Sequence, residues 1–227
     1  MRPPLLLAPS LGTTRAVWDS NVPRLAERFA VIRYDHPGHG QEPPGPRSLE
    51  GFARAALAAA DLAGADRFSF CGLSLGGMVG MWLAANAPER VERLVLACTA
   101  PFLPPAEQWL ERAAAVRAHG VEAVADAVVG RWFTERFPDP EPWRRHLLAT
   151  PAEGYARACE ALAAMDLRGD LARIEAPTTV ILGRHDPVVQ DENRRLLAAL
   201  GPVVTLDAAH LANVEQPDAF SDTVLAA

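Results

Sequence analysis

Short apolar runs bounded by Gly, Pro or Asp alternate along this chain with longer Ala- and Leu-rich stretches at helical spacing. The runs are PLLLA (4–8), FAVIRY (29–34), RFSFCG (67–72), RLVLACT (93–99), TTVILG (178–183) and PVVTLD (202–207). Each reads as a strand. Helical patterns lie at about 17–27, 48–63, 75–86 and 190–200. Strand–helix–strand alternation of this kind predicts an α/β fold, a mainly parallel twisted sheet with helices on both faces. In such sheets ligands bind at the carboxyl ends of the strands, so functional residues are expected just after the apolar runs.

One segment breaks the rhythm. Residues 102–171 hold no convincing strand, only helical patterns such as PAEQWLERAAAVRAHG, VEAVADAVVGRWF and GYARACEALAAMD. They predict a helical lid inserted into a core formed by residues 1–101 and 172–227. The alternative is a set of plain packing helices. GQEPPGPRS (40–48) reads as a rigid Pro-rich surface loop rather than a linker.

A chain of 227 residues is long enough for one large, well-buried domain with an insertion. Hydrophobic residues make up 49% and charged residues 22%, the mix of a soluble globular protein. The net charge of −6, without a basic run, argues against nucleic acid as a partner. Every one of the 22 basic residues is Arg, which carries no functional reading. Cys71, Cys98 and Cys159 are widely spaced and suggest neither a zinc site nor a disulfide framework. The opening MRPPLLLAPS is too short for a signal peptide or a membrane span, so no membrane and a cytoplasmic location are expected.

The stretch GLSLG (72–76) follows the third apolar run and opens the helical pattern LGGMVGMWLAANA. That is the setting of a nucleophile elbow, in which Ser74 sits on a sharp strand-to-helix turn and glycines on either side relieve the crowding. A serine hydroxyl needs a base, and the base needs an orienting acid. In one serine-hydrolase arrangement these follow in the order Ser, Asp or Glu, His, each after a later strand. Asp186, in RHDPVV, and His210, in AAHLANVEQP, stand at those places. Asp207 is an alternative acid, and His185 adjoins Asp186 on the same loop. His36 and His39, in YDHPGHG, read as turn and hydrogen-bonding residues near the mouth, and His119 and His146 as lid or surface residues. The developing oxyanion needs backbone N–H donors, expected from Leu75, after the nucleophile, and from Leu11, in PSLGT.

The set PSLGTTRAVW, VIRYDHPGHG, FCGLSLGGMVG, GRHDPVV and LDAAHLANVEQP resembles the α/β-hydrolase superfamily over nearly the whole chain. SLGT, ADAVVGRWFT and EGYARACEALAAMDLR make it similar, more narrowly, to the 3-oxoadipate enol-lactonases of the β-ketoadipate pathway of aromatic catabolism. The resemblance implies a strand pair ahead of the SLGT loop, which this chain lacks, and a longer last helix. It also implies Asn where this chain has Pro9, whose backbone cannot donate.

What the resemblance implies about activity is a carboxylic ester hydrolase that opens a small anionic lactone through an acyl-enzyme on Ser74. It implies no metal or organic cofactor, and leaves a homo-oligomer open. The substrate's carboxylate would be repelled at long range by a net-negative protein, so a local cation is expected, Arg131 or Arg157. Trp132 is expected to wall the lactone ring. A broader carboxylesterase or carbon–carbon-bond hydrolase would use the same triad, and a non-catalytic ligand receptor would use the same scaffold.

Overall fold

A computed structural model describes residues 2–45 and 47–227. The Pro-rich loop of 40–48 is therefore described except for Pro46. Six strands form one sheet: β1 Pro4–Ala8, β2 Ala30–Arg33, β3 Phe68–Leu73, β4 Val91–Ala97, β5 Thr178–Gly183 and β6 Val203–Leu206. All pairings are parallel, in the order β2-β1-β3-β4-β5-β6. The expected α/β architecture is thus the observed one. The inner stretches of the central strands β1, β3 and β4 are apolar except for the buried Ser69, as strands covered on both faces are. Leu5, Leu6, Leu7, Phe68 and Phe70 are all essentially inaccessible.

Most of the sheet's helices follow from local signals. α2 (Leu49–Leu62) starts where the Ser48 hydroxyl accepts from Gly51 N–H. α3 (Leu75–Asn86) is apolar all round, as a helix packed against the sheet and under α2 requires. The expected helix over 17–27 is not continuous. A 3-10 turn at Arg15–Trp18 gives way to a single turn, α1 (Val22–Leu25). Pro23 supplies no N–H to extend a helix through this point. The buried Asn21 side chain instead spans the fold, donating to Asn213 O at 3.1 Å and to Ser221 Oγ at 3.1 Å.

Between β4 and β5 stand four helices: α4 (Ala106–His119), α5 (Glu122–Trp132), α6 (Glu141–Leu148) and α7 (Ala152–Ala163). α4 and α7 pack together, and Arg117 ties them by reaching Glu153 at 2.8 Å and Glu160 at 2.6 Å. The segment leaves and re-enters at one place. Phe102 and Asp166 form an antiparallel bridge, and Leu167 N–H donates to Pro101 O at 2.8 Å. On the far side, Gly154 of α7 presses directly on Gly38 of the loop after β2. α8 (Asp191–Ala198), α9 (Ala212–Glu215) and α10 (Pro217–Ala226) complete the fold.

Candidate active site

Three strand ends meet at one edge of the sheet, and each delivers one side chain. Ser74 follows β3, Asp186 lies in the turn after β5, and His210 lies in the loop after β6. His210 Nδ1–H donates to Asp186 Oδ2 at 2.9 Å, and His210 Nε2 accepts from Ser74 Oγ at 2.8 Å. All three are buried. The other Asp186 oxygen accepts from Val188 N–H at 2.8 Å, which fixes the carboxylate in its own loop. This line of groups can pass a proton from the serine hydroxyl to the imidazole while the carboxylate holds the tautomer.

The elbow is strained, and its neighbours explain why it persists. Ser74 sits at φ 54°, ψ −113°, a region that costs a non-glycine residue about 1–3 kcal/mol. Ser74 N–H donates to Ala97 O at 2.8 Å, and Thr99 Oγ donates back to Ser74 O at 2.7 Å, so the end of β4 clamps the turn. The two glycines of GLSLG are required by close approach. A Cβ on Gly72 would lie 2.2 Å from Gly76 O, and one on Gly76 would lie 2.2 Å from Ala8 O.

That second approach brings the turn after β1 against the elbow. Gly76 N–H donates to Pro9 O at 3.1 Å. Leu11 then lines the same cavity as Ser74. Among the described residues, the N–H groups of Leu11 and Leu75 donate to no protein acceptor. Two such donors beside a nucleophile are what an oxyanion requires.

The cavity above Ser74 has a volume of about 190 Å³ and is lined by Leu11, Trp109, Arg112, Arg131, Trp132 and Tyr155, among others. Trp132 and Arg131 therefore reach the place expected of them, whereas Arg157 does not. It is engaged with Glu153 at 2.7 Å and Gly45 O at 3.0 Å. Arg131 has no carboxylate partner among the described residues, nor has Arg112. Burial, and then the neighbouring Arg112, pull the Arg131 pKa below its ordinary value. The buried Tyr155 hydroxyl also lacks a protein partner among the described residues. The lining thus combines two arginines and the Tyr155 hydroxyl with apolar side chains such as Leu11, Val128 and Trp132.

Arg112 and Tyr155 were not singled out from the sequence as binding groups. Arg112 shares a helical face with Gln108, four residues earlier, and Trp109, three earlier, and all three reach the cavity. That spacing is the signal that would have found it. The other candidates fall outside the cavity. Asp207 and His185 pair with each other at 2.7 Å on the surface, with Arg136 also on Asp207 at 2.9 Å. His36 Nε2 donates to Pro9 O at 2.9 Å, and His39 Nε2 accepts from Gly12 N–H at 3.0 Å, both fully buried. The three cysteines are free and buried. No group of metal-ligating side chains occurs among the described residues. No helix there is long and apolar enough to cross a membrane.

Residues 5–223 match the pattern of the alpha/beta hydrolase family. The chain is 37% identical to 3-oxoadipate enol-lactonase 2 of Acinetobacter baylyi over 98% of its length and 87% of that protein's. It is 31% identical to the putative carbamate hydrolase RutD of Azorhizobium caulinodans, over 98% of this chain and 89% of that one. The crystal structure of the enol-lactonase from Burkholderia xenovorans LB400 superimposes with a TM-score of 0.94 at 40% identity, covering 100% of this chain and 91% of that chain.

Proposed function

The chain belongs to the alpha/beta hydrolase family, and from that premise we propose that it is a serine hydrolase opening a small carboxylated enol-lactone, 3-oxoadipate enol-lactone to 3-oxoadipate. The observation that carries the chemistry is the hydrogen-bonded line Ser74–His210–Asp186 at the floor of the cavity. The substrate class is supported by the two arginines without carboxylate partners, Arg112 and Arg131, and by the similarity to enol-lactonases.

His210 takes the Ser74 proton while Asp186 holds the imidazole. Ser74 Oγ attacks the lactone carbonyl, and the N–H groups of Leu11 and Leu75 receive the oxyanion. Collapse breaks the ring C–O bond as the His210 imidazolium gives its proton to the leaving oxygen, and the resulting enol remains tethered to the acyl group and tautomerises to the ketone. His210 then activates water, which cleaves the acyl-enzyme and frees the dicarboxylate. Trp132 walls the ring while Arg131 and Arg112 hold the side-arm carboxylate. The cytoplasm is the proposed location.

A broader carboxylesterase is the second reading, since Ser74, His210 and Asp186 would serve the hydrolysis of other small esters equally. The deciding experiment compares kcat/KM on the enol-lactone with kcat/KM on neutral aryl esters. The lactonase reading expects the lactone to be preferred by about 100-fold or more, the differential that two charge-assisted contacts supply. A preference for aryl esters sinks the lactonase and leaves the esterase. Undiminished turnover in Ser74→Ala sinks the mechanism altogether.

A further inference from the structure

The turn from Pro9 to Thr14 is held at nearly every residue except the one whose donor is needed. Pro9 O accepts from both Gly76 N–H and His36 Nε2, at 3.1 and 2.9 Å. Ser10 O accepts from Thr13 N–H and Thr13 Oγ at 3.2 and 2.9 Å. Gly12 N–H goes to His39 Nε2 at 3.0 Å. Thr14 N–H goes to His146 Nε2 at 2.9 Å, with Thr14 Oγ also 3.1 Å away. Leu11 N–H, like the Ser10 N–H before it, donates to no protein acceptor among the described residues, and Leu11 lines the cavity with Ser74.

Three of these fixings are histidines, but they come from different parts of the fold. His36 and His39 belong to the loop after β2, part of the core. His146 belongs to α6, in the helical insertion. Thr150, at the end of the same helix, reaches Gly12 O at 3.5 Å. Gly12 itself, at φ +75°, is packed so closely under the insertion that a Cβ would stand 2.5 Å from Leu147 Cδ1 and 3.1 Å from Tyr155. The turn carrying Leu11 is therefore clasped between the core and the insertion.

We infer that His146 is a positioning residue for the acyl-transfer step, latching the helical insertion to the turn that presents Leu11 N–H, so that seating of the insertion sets the oxyanion donor. An N–H donating to Nε2 requires the neutral tautomer with its proton on Nδ1. The groups around it permit that state. The carboxylates nearest to it, Asp35 and Asp19, are engaged with Arg15 N–H and with Arg33 respectively. The Trp143 ring lies 6.0 Å away on its own helix, and His39 faces it from the core side. The same insertion supplies Arg112, Arg131 and Trp132 to the cavity. A substrate gripped by those side chains thereby pulls on the element that fixes the oxyanion geometry.

This inference rests on the serine-hydrolase reading but not on the lactone. The test accordingly uses a small neutral aryl ester, with Ser74→Ala as background. His146→Phe keeps an aromatic ring and removes the acceptor, whereas His146→Gln keeps an acceptor within reach of Thr14 N–H. A latch predicts that kcat falls about tenfold in His146→Phe with KM unchanged within about twofold, less than the loss of an oxyanion donor itself. It also predicts that His146→Gln recovers at least about half of the parent kcat. The inference is overturned if His146→Phe keeps its kcat, if both variants lose equally, or if the loss falls on KM alone. Equal loss would make His146 a packing residue only. Should the parent show no Ser74-dependent hydrolysis, the serine-hydrolase reading fails and the latch with it. Ser74-dependent hydrolysis that ignores His146 overturns the latch alone.

Discussion

Gly154→Ala sets helix propensity against packing in a way that the structure decides. Gly154 lies in the first turn of α7, and alanine within a helix is favoured over glycine by about 1 kcal/mol. On propensity alone the substitution stabilises. A Cβ at this position, however, stands 2.0 Å from Gly38 O, and the reciprocal Cβ on Gly38 would stand 2.4 Å from Gly154 Cα. Both obstacles are backbone, so no side chain can swing aside. Real Cβ contacts stay beyond 3.0 Å, and the two backbones must part by about 1 Å. Overpacking of that kind costs about 1–3 kcal/mol, and opening the seam also forfeits dispersion contacts around it. The upper part of that range wins because neither backbone can yield. The net effect is a destabilisation of about 1–2 kcal/mol, a fall in Tm of roughly 3–6 °C for a chain of this size. Gly130→Ala is the control. It lies within α5, its Cβ would meet nothing within 4 Å, and it should raise Tm by roughly 2–4 °C. Differential scanning calorimetry on the three proteins is the assay. If Gly154→Ala melts at or above the parent while Gly130→Ala rises, the seating of α7 on Gly38 is wrong.

Two further outcomes follow from the histidines of the core and the arginines of the cavity. His36 and His39 are held down to about 3 and about 4 by burial in each case, against an ordinary value of 6.5. The unfolded chain therefore binds protons between pH 6.5 and about 4 that the folded chain refuses, and stability is lost as pH falls through that window. Each histidine contributes a slope approaching about 1.4 kcal/mol per pH unit, so a Tm that stays level from about pH 7 to pH 5 would refute their burial as neutral groups. Arg112→Gln and Arg131→Gln should each raise KM for a carboxylated lactone by about 10-fold or more, with a much smaller change on a neutral aryl ester. Equal effects on both substrates would remove the arginines from carboxylate recognition.

How far the sequence carries depends on the range of the interaction involved. β1 and β5 begin and end where PLLLA and TTVILG do, and α3 spans 75–86 as its pattern implies, because composition and punctuation decide those elements locally. The order of Ser74, Asp186 and His210 after β3, β5 and β6 sufficed to bring their side chains into one hydrogen-bonded line, since a parallel sheet places the carboxyl ends of its strands along one edge. What escaped was decided by distant partners. Pro23 and the far-reaching Asn21 replaced a helix with turns. Arg112 reaches the cavity only because α4 lies across the sheet edge, and His146 has a role only because Thr14 lies 132 residues away. The glycine-to-glycine contact of Gly38 and Gly154 leaves no periodic trace in either segment.

The meeting of the insertion's two ends, at the Phe102–Asp166 bridge and the Leu167–Pro101 hydrogen bond, has a consequence for how such a protein can diversify. β4 and β5 are neighbours in the sheet, so the chain departs and returns without stretching across it. Any cassette whose ends lie one hydrogen bond apart can be housed there, because lengthening a closed loop adds little entropic penalty. Arg112, Arg131 and Trp132 thus come from this segment, whereas Ser74, Asp186 and His210 come from strand ends outside it. A transplanted cassette must still reproduce its seams: an acceptor for Thr14 N–H, and carbonyls such as Arg131 O and Trp132 O to receive His210 and Leu211 N–H. Those few contacts are where exchange between relatives meets its constraint.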